Sequence, residues 1–302
     1  MHSKQLLRRL DLVTLQLFVA VHEAGTLTRA AARESIAVSA ASKRLMELEQ
    51  ALGIALFART AKGMSLTAAG ETLLHHARRI LAEVDQIGIE VGEHLQGVRG
   101  YVRMLANLSA IIEFLPEDLH DFVASHPQVK VDLEERPSSG VVQGIIDGIA
   151  DVGICSMDVQ THDLYTVPYR QDQLVVVARS DHPLAERQRT AFIDTLQYDH
   201  IGLHAASSIN ARTHAAAKTL GTPLRLRIHV PGFDAVCRMV QANMGIGVLP
   251  FKAYELFGRS LGLSAVIIDE SWAQRTLVLV MRDRQALSPV SQLFVDHLQT
   301  PR

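Results

Sequence analysis

Two stretches near the start of the chain decide how its first part folds: LQLFVAVHEAGTLTRAAARES (15–35) and SKRLMELEQALGIALFARTAKGMSLTAAGETLLHHARRIL (42–81). Apolar residues recur at helical spacing between Asp11 and Ala24, with Asp11 as a possible cap and Gly25 as the stop. Thr26 can cap a second, alanine-rich helix, and residues 38–53 support a third that ends at a glycine. Three short helices are therefore expected in quick succession.

The segment after these helices predicts a hairpin or wing. LFARTAKGMSLT (56–67) reads as two short extended pieces around Lys62-Gly63, a step that suits a tight turn. Residues 1–67 also carry nine Lys or Arg against five acids, a balance of +4, and the net charge of −2 leaves −6 for the rest. A basic head suits a polyanion partner, although a solvated charged surface explains the same numbers as well.

A long helix is predicted from Ala68 to about Gln96, and its apolar residues step alternately by four and three. Such a heptad seam favours pairing between two chains, and 29 residues would span roughly 43 Å. The alternative, a helix packed on its own domain, remains open. The seam comprises Leu73, Ala77, Ile80, Val84, Ile87, Val91 and His94.

Beyond Gly97 the chain has the composition of an α/β protein, because short β-rich runs alternate with amphipathic helices. We see no internal repeat or low-complexity segment. The predicted strands are Tyr101–Ala106, Val129–Leu133, Val152–Cys155, Leu174–Ala178, Ile201–Leu203, Arg225–Val230, Gly247–Leu249 and Leu277–Met281.

Composition argues against several classes of protein. The two cysteines, Cys155 and Cys237, lack partners at metal-ligand spacing and suggest neither a disulfide framework nor a zinc site. There is no long apolar run and no signal peptide, so we expect a cytoplasmic protein. Motifs of hydrolases, zinc peptidases and phosphate-binding loops are absent, and His200 with His204 lacks further ligands. We expect no enzyme activity, no metal and no cofactor.

The third helix carries the residue types that a DNA reader needs. A helical wheel places Val38, Ala41, Leu45 and Leu48 on one face, whereas Ser39, Lys43, Glu47 and Gln50 point away. Small hydroxylic residues at the helix start, Ser39 and Ser42, stand beside Lys43 and Arg44, and such a start can approach base edges closely. Taken alone, the pattern fits an ordinary surface helix as well.

The two quoted stretches resemble the signature of LysR-type transcription regulators over about seventy residues. The resemblance rests on the Ala30-Ala31 pair, the Leu48-Glu49 pair, Leu56-Phe57, Arg59 and the run LTAAG (66–70). It implies an N-terminal all-α winged helix-turn-helix that binds DNA, followed by a long linker helix. The implied DNA-binding residues are Val38, Ser39, Ser42, Lys43 and Arg44, with Arg29, Arg59 and Lys62 on phosphates.

One departure from the family pattern affects the start of the third helix. The family commonly has Ser-Gln-Pro or Ser-Gln-Ser where this chain has Ala37-Val38-Ser39, so the usual cap and the base-reading Gln are both absent. Two alternatives follow: Ser35 caps the helix, or the helix starts differently. Val38 can meet a thymine methyl but cannot hydrogen-bond a base. The operator sequence therefore cannot be transferred from relatives.

The resemblance continues through FLPEDLHDFVASHPQVKVDLEE, GIADVGI, LVVVARSDHPLA and VQANMGIGVLP. It implies a C-terminal α/β domain of two lobes, similar to a type 2 periplasmic binding protein, whose cleft takes a small-molecule effector. The expected domains are 1–67 for DNA binding, 68–97 for dimerisation and 98–302 for the effector. Lobe one would hold about 98–170 and 269–302, and lobe two about 171–268, with crossings near Pro168–Asp172 and Ile267–Glu270.

The family's cleft positions carry over to hydroxylic residues and helix starts. Hydroxyls and free N–H groups at helix starts favour an anion, so we expect a small carboxylate, with Asp234 as the exception. Simple helix capping explains each serine singly, and a lone histidine is more often structural. Redox sensing through the cysteines is a minor alternative. The implied effector residues are Asn107, Ser109, Ala110, Ser138, Ser139, His204, Ser207, Ser208, Phe233 and Asp234.

These patterns together predict a homo-oligomeric regulator that binds double-stranded promoter DNA and changes its DNA geometry when an effector fills the cleft. A solute-binding module without DNA function is the second hypothesis, against which the heptad linker and the wing residues argue. Neither the effector nor the choice between activation and repression follows from the sequence.

Overall fold

The computed structural model describes residues 10–60, 63–96 and 100–300, with the backbone alone at 59–60, 85–86 and 89–96. It divides into two compact units, the first ending with a long helix and the second holding most residues beyond 100. In the described part, no helix combines the length and the apolar composition that a membrane span requires.

Among its described residues, the first unit has three successive helices before the wing: α1 (Leu12–Ala24), α2 (Leu27–Arg33) and α3 (Val38–Leu52). The Asp11 side chain caps α1 by accepting from the Thr14 N–H at 2.8 Å, and Gly25 ends it in the left-handed region. Thr26 caps α2 in the same way. The helices enclose an apolar core of residues such as Phe18, Ala31 and Leu48.

The turn before α3 contradicts the expectation that Ser35 caps this helix. Ala37 occupies the N-cap position and makes no side-chain capping bond. Ser35 does not replace it, because Ser35 lies two residues earlier with φ of 55°. The first N–H groups of α3 are therefore not capped by a side chain, although helix starts usually carry such a cap.

A two-stranded antiparallel hairpin, β1 (Phe57–Thr60) and β2 (Gly63–Leu66), forms the predicted wing. Glu49 of α3 holds its entry, since its Oε1 accepts from the backbone N–H of Leu56 at 2.7 Å and of Phe57 at 3.2 Å. Gly63 has φ of 125°, and a Cβ there would lie 2.4 Å from the Gly25 carbonyl oxygen. The wing is thus fixed against both α1 and α3.

The long helix α4 runs over Ala68–Gln96, the bounds that the heptad pattern predicts. Its first turns pack into the core of the first unit, where Leu74 and Ala77 are buried. Gly70 is required at this entry, because a Cβ would lie 2.2 Å from the Leu56 carbonyl oxygen.

The second unit is built on ten strands with helices on their faces. Its helices of six or more residues are α5 (Leu108–Glu113), α6 (Leu115–Ser125), α7 (Ser138–Ile146), α8 (Ser208–Thr219), α9 (Phe233–Gln241) and α10 (Pro289–Leu298). Short helical turns follow one another over 251–261. Its strands are β3 (Gly100–Ala106), β4 (Val129–Glu135), β5 (Val152–Ser156), β6 (Tyr165–Arg179), β7 (Arg189–Thr190), β8 (His200–Leu203), β9 (Leu226–Val230), β10 (Ile246–Pro250), β11 (Leu263–Ile268) and β12 (Gln274–Met281).

Two sheets share strand β6. The first has the order β4-β3-β5-β12-β6, with β3 parallel to both neighbours and β12 antiparallel to β5 and β6. The second has the order β6-β10-β8-β9, and β11 also pairs with β6. One apolar core includes Phe122 of α6 and Phe294 of α10, and a second lies under α7. A third is formed between the second sheet and the helices that pack on it.

Strand β6 changes sheets along its own length. Gln173 pairs with β12, whereas Leu174 pairs with β10, so the change lies one residue beyond the predicted crossing Pro168–Asp172. The chain returns between the end of β11 and the start of β12. All eight predicted strands are present, and β11 and the short β7 were not predicted.

Candidate nucleic-acid interface and ligand cleft

The outward face of α3 presents small and basic side chains. Ser39, Ser42 and Lys43 are exposed, and Ala41, Leu45 and Leu48 are buried as the wheel predicts. Val38, at the first turn, does not share the buried face and is 42% exposed. An exposed valine beside two hydroxyls and an ammonium group can meet base edges and phosphates.

The predicted arginines have different environments. Arg44 is engaged within the unit, since its Nη1 lies 3.3 Å from Asp11 Oδ2 and donates to Thr14 Oγ1 at 3.1 Å. Partial burial raises the pKa of Asp11, but the hydrogen bonds from Thr14 and the charge of Arg44 outweigh it and lower that pKa. Arg29 is exposed and its Nε donates to Thr26 Oγ1 at 3.2 Å. Lys62 and the Arg59 side chain lie outside the described residues.

The heptad seam on α4 has two parts. Ala77 is fully buried in the unit's own core and so packs within one chain, whereas Leu73 is half-buried against that core and keeps part of its side chain exposed. Ile80, Val84 and Ile87 are 44%, 39% and 56% exposed and form an apolar stripe. The side chains of Val91 and His94 lie outside the described residues.

A narrow cleft in the second unit brings seven of the ten predicted effector residues together. They come from loops and helix starts after β3, β4, β8 and β9. The cavity volume is about 20 Å³, enough for about one water molecule, so a larger ligand requires the walls to move apart. The predicted residues that line it are Asn107, Ser109, Ser138, His204, Ser207, Ser208 and Phe233.

Two cleft hydroxyls are held by hydrogen bonds from behind. Ser138 Oγ accepts from Asn107 Nδ2 and from the Ser156 N–H, both at 3.1 Å. These two donors occupy both lone pairs of the hydroxyl and leave its hydrogen to donate. Ser109 Oγ accepts from Arg275 Nη2 at 2.9 Å. Both hydroxyls are therefore suited to bind a hydrogen-bond acceptor.

Three predicted effector residues do not line the cleft. Ala110 is fully buried and its N–H donates to the Asn107 side chain at 2.9 Å. Ser139 is exposed on the first turn of α7, and Asp234 is exposed on the first turn of α9. Each of the three directly follows a lining residue on a helix. Because neighbours on a helix point about 100° apart, its side chain points away from the cleft.

The structure adds lining residues that sequence reasoning missed. They are Leu108, Glu135, Pro137, Leu203 and Ile209. Glu135 is an acid at the carboxyl end of β4, and its position directly before the predicted loop was the available signal. Arg275 was missed because it stands alone in an apolar strand, far in sequence from Ser109.

The two thiols are poor candidates for redox chemistry. Burial raises the pKa of Cys155 to about 12 and that of Cys237 to about 11, with nearby aspartates adding to the effect. The reactive form of cysteine is the thiolate, which such pKa values suppress at neutral pH. Both residues pack as small buried hydrophobes.

Comparison with known proteins decides the family. Residues 12–71 match the helix-turn-helix model of bacterial regulatory proteins of the lysR family, and residues 95–301 match the LysR substrate binding domain. The chain belongs to the LysR family of transcriptional regulators. The HTH-type transcriptional regulator AlsR of Bacillus subtilis (strain 168) is 31% identical over 251 residues, which cover 82% of this LysR-type chain and 83% of AlsR.

Solved structures confirm the fold of this LysR-type regulator. Full-length CbnR complexed with its target DNA aligns with a TM-score of 0.67 at 22% identity, over 96% of this chain and 99% of CbnR. The effector binding domain of QuiR in complex with shikimate aligns at 0.60 and 20% identity, over 66% of this chain and 95% of that domain. The predicted family and fold class, a winged helix-turn-helix with a linker helix and a two-lobed α/β domain, are therefore confirmed.

Proposed function

We propose that this LysR-type regulator binds promoter DNA as a homo-oligomer and responds to a small carboxylate in the cleft of its second unit. The DNA-binding domain would comprise residues 1–67, the dimerisation helix 68–97 and the effector domain 98–302. Because its partner is promoter DNA, we place the protein in the bacterial cytoplasm. Its relatives are named as transcriptional regulators, and we propose no catalytic role.

The DNA contact is proposed on the outward face of α3. Ser39, Ser42 and Lys43 are exposed together on its first turns, and Val38 offers methyl groups beside them. Arg29 and the wing residues Arg59 and Lys62 would contact phosphates, which position a protein on DNA without reading its sequence. Arg44 is assigned instead to the ion pair with Asp11.

The pairing of two heads is proposed on the exposed part of the seam. Ile80, Val84 and Ile87 form a stripe on α4 that a second copy of the same helix would cover. Full-length CbnR, which is similar in fold to this chain, was solved in complex with its target DNA.

The observation that carries the effector proposal is the polarity of the cleft. Ser138 can only donate, and Ser109 accepts from a cation. Ser207 is the N-cap residue of the 12-residue helix α8 and makes no side-chain capping bond. Donors and helix starts favour an acceptor with negative charge. The effector binding domain of QuiR, which is similar in fold, was solved in complex with shikimate, which is a carboxylate.

DNA binding is tested by gel shift with the intergenic DNA beside the regulator's own gene. We expect retardation that weakens as salt rises, because phosphate contacts release counterions. A protein that binds a small carboxylate but retards no DNA from this region, even at low salt, would favour the solute-binding module.

Effector binding is tested by a thermal-shift screen of organic acids that includes shikimate, succinate and benzoate. A ligand at a hundredfold over its Kd stabilises the folded state by about 2.7 kcal/mol. Each acid is compared with its uncharged amide. If only neutral or cationic compounds raise the Tm, the proposed ligand class is wrong.

A further inference from the structure

Arg275 lies at the start of β12, where the chain returns to the first sheet, and its side chain is fully buried. Its Nε donates to Asp172 Oδ1 at 2.7 Å, and its Nη2 bonds both Asp172 Oδ2 and, at 2.9 Å, Ser109 Oγ. Arg275 and Asp172 are register partners on β12 and β6. A buried arginine is costly unless it is paired, so this placement needs an explanation.

Asp172 alone balances the positive charge of Arg275, although a second acid lies nearby. Glu113 Oε1 lies 4.0 Å from Arg275 Nη2, yet neither Glu113 oxygen has a hydrogen-bond partner among the described residues, nor does Arg275 Nη1. Burial, with the Asp172 charge adding to it, raises the pKa of Glu113 to about 9. Glu113 is therefore neutral at pH 7, and the charges of Arg275 and Asp172 balance only each other.

Ser109 connects this cluster to the cleft. It lines the cleft wall, and it is buried with its oxygen bonded to the guanidinium. A hydroxyl that accepts from a cation is polarised and donates more strongly, because consecutive hydrogen bonds reinforce one another. An anionic oxygen at Ser109 would be one hydrogen bond removed from a buried positive charge.

We propose that Arg275 is the residue that makes the cleft select an anion over a neutral ligand of the same shape. It acts as a positioning residue through Ser109, without touching the ligand itself. The inference rests on the proposed function of the cleft and deepens it by assigning the source of its charge preference. Arg275 also joins β12 to β6 through Asp172. The same side chain therefore links the cleft wall to β6, the strand that runs from one sheet into the other.

The test uses the full-length protein and three pairs of probes: shikimate, succinate and benzoate, each with its uncharged amide. Calorimetry gives the Kd of each acid and amide for the wild type and for the double variant Arg275→Met, Asp172→Asn. The double variant removes the ion pair without leaving Asp172 as an unpaired buried charge. We expect the preference for acid over amide to fall tenfold or more, and the affinity for the amide to change less than threefold.

A matched control removes a second pair of arginine and aspartate, in which the arginine is partly buried and lies on β6, the strand that also carries Asp172. Arg170 on β6 lies 3.2 Å from Asp118, and its other hydrogen bonds among the described residues go to backbone carbonyls outside the cleft wall. The double variant Arg170→Met, Asp118→Asn should lower the Tm and leave the ratio of acid to amide affinity unchanged. Arg275→Lys and Ser109→Ala provide readouts if the first double variant does not fold, and both should lower the same ratio.

The outcomes separate this inference from the proposed function. If the wild type binds none of the three acids, the carboxylate proposal and the role of Arg275 in it are both wrong. If it binds an acid with preference over the amide, and all folded Arg275 and Ser109 variants keep that preference, only the Arg275 inference fails. An equal loss of acid and amide affinity would show that Arg275 is merely structural.

Discussion

The two candidate sites of this regulator are built in opposite ways. On α3 the side chains proposed to contact DNA are exposed, and Ser39, Ser42 and Lys43 are not needed to complete the core. In the cleft, Asn107, Ser109 and Ser138 are buried and bonded to their own unit. Substitutions at the proposed DNA contacts should therefore change binding without changing stability. Substitutions at these cleft residues should change both.

The largest effect is expected where association depends on an exposed apolar stripe. The variant Ile80→Glu, Val84→Glu should weaken self-association at least about a hundredfold, because paired helices would bury uncompensated carboxylates. Sedimentation at micromolar concentration measures it. The control Arg79→Glu places the same residue beside the seam and should leave the oligomer intact. A wild type that sediments as a monomer would refute the pairing.

Ser138→Ala tests whether cleft residues also serve the fold. It leaves Asn107 Nδ2 and the Ser156 N–H without their acceptor, so unfolding free energy should fall by about 1–3 kcal/mol. Carboxylate affinity should fall as well. Ser139→Ala, one residue along and exposed, is the control and should change neither quantity. Chemical denaturation and calorimetry give the two values.

Lys43→Ala tests the opposite case. Because Lys43 is exposed, its loss should weaken operator binding by about 1–3 kcal/mol while the Tm stays within about one degree. Gel shift and thermal denaturation measure the pair of effects. Gln50→Ala, at the far end of α3, should alter neither. Unchanged affinity and footprint for Lys43→Ala would show that α3 does not read DNA.

Glu113 gives a pH test of the buried cluster. Its pKa is raised from 4.5 to about 9, so between these values the folded carboxyl stays protonated while the unfolded one ionises. Its contribution to stability is therefore complete below pH 4.5 and is lost as pH rises to 9. The unfolding free energy of Glu113→Gln, relative to that of the wild type, should rise by about 1 kcal/mol or more between pH 5 and 8. The exposed Glu255→Gln should show no such trend.

The smallest effect concerns the uncapped start of α3. Ala37→Ser supplies the missing side-chain acceptor and should raise stability by about 1 kcal/mol. Ala40→Ser, exposed within the helix, is the control and should be neutral or slightly destabilising. Thermal denaturation measures both. If Ala37→Ser gives no gain, the backbone at this turn does not bring the serine oxygen within reach of the free N–H groups.

The sequence predicted best what repeats at short range. Helical spacing identified α1 to α4 and placed Lys43 outward, and the alternation of β-rich runs located eight strands. Val38 and Ala77 show the limit of this spacing. It does not tell whether an apolar side chain is exposed or packed against its own chain. Ser139 and Asp234 were misplaced because the sequence does not tell which side of a helix's first turn faces the cleft.

Long-range polar contacts were beyond the sequence. Arg275 is separated by 103 residues from Asp172 and by 166 from Ser109, and no local pattern joins them. Glu113 likewise reads as an acid on an amphipathic helix and is in fact buried. Only the topology of the two sheets brings these groups to one place.

The continuous strand β6 limits how this regulator can be recombined with its relatives. The 15 residues of β6 are divided between the two sheets, with the change between Gln173 and Leu174. A lobe grafted from another family member must therefore be joined at this point within the strand, and again within residues 269–273. A junction that adds or removes one residue in β6 would turn every following side chain to the opposite face. Chimaeras that keep this register should fold, and new ligand specificity could then be acquired one lobe at a time.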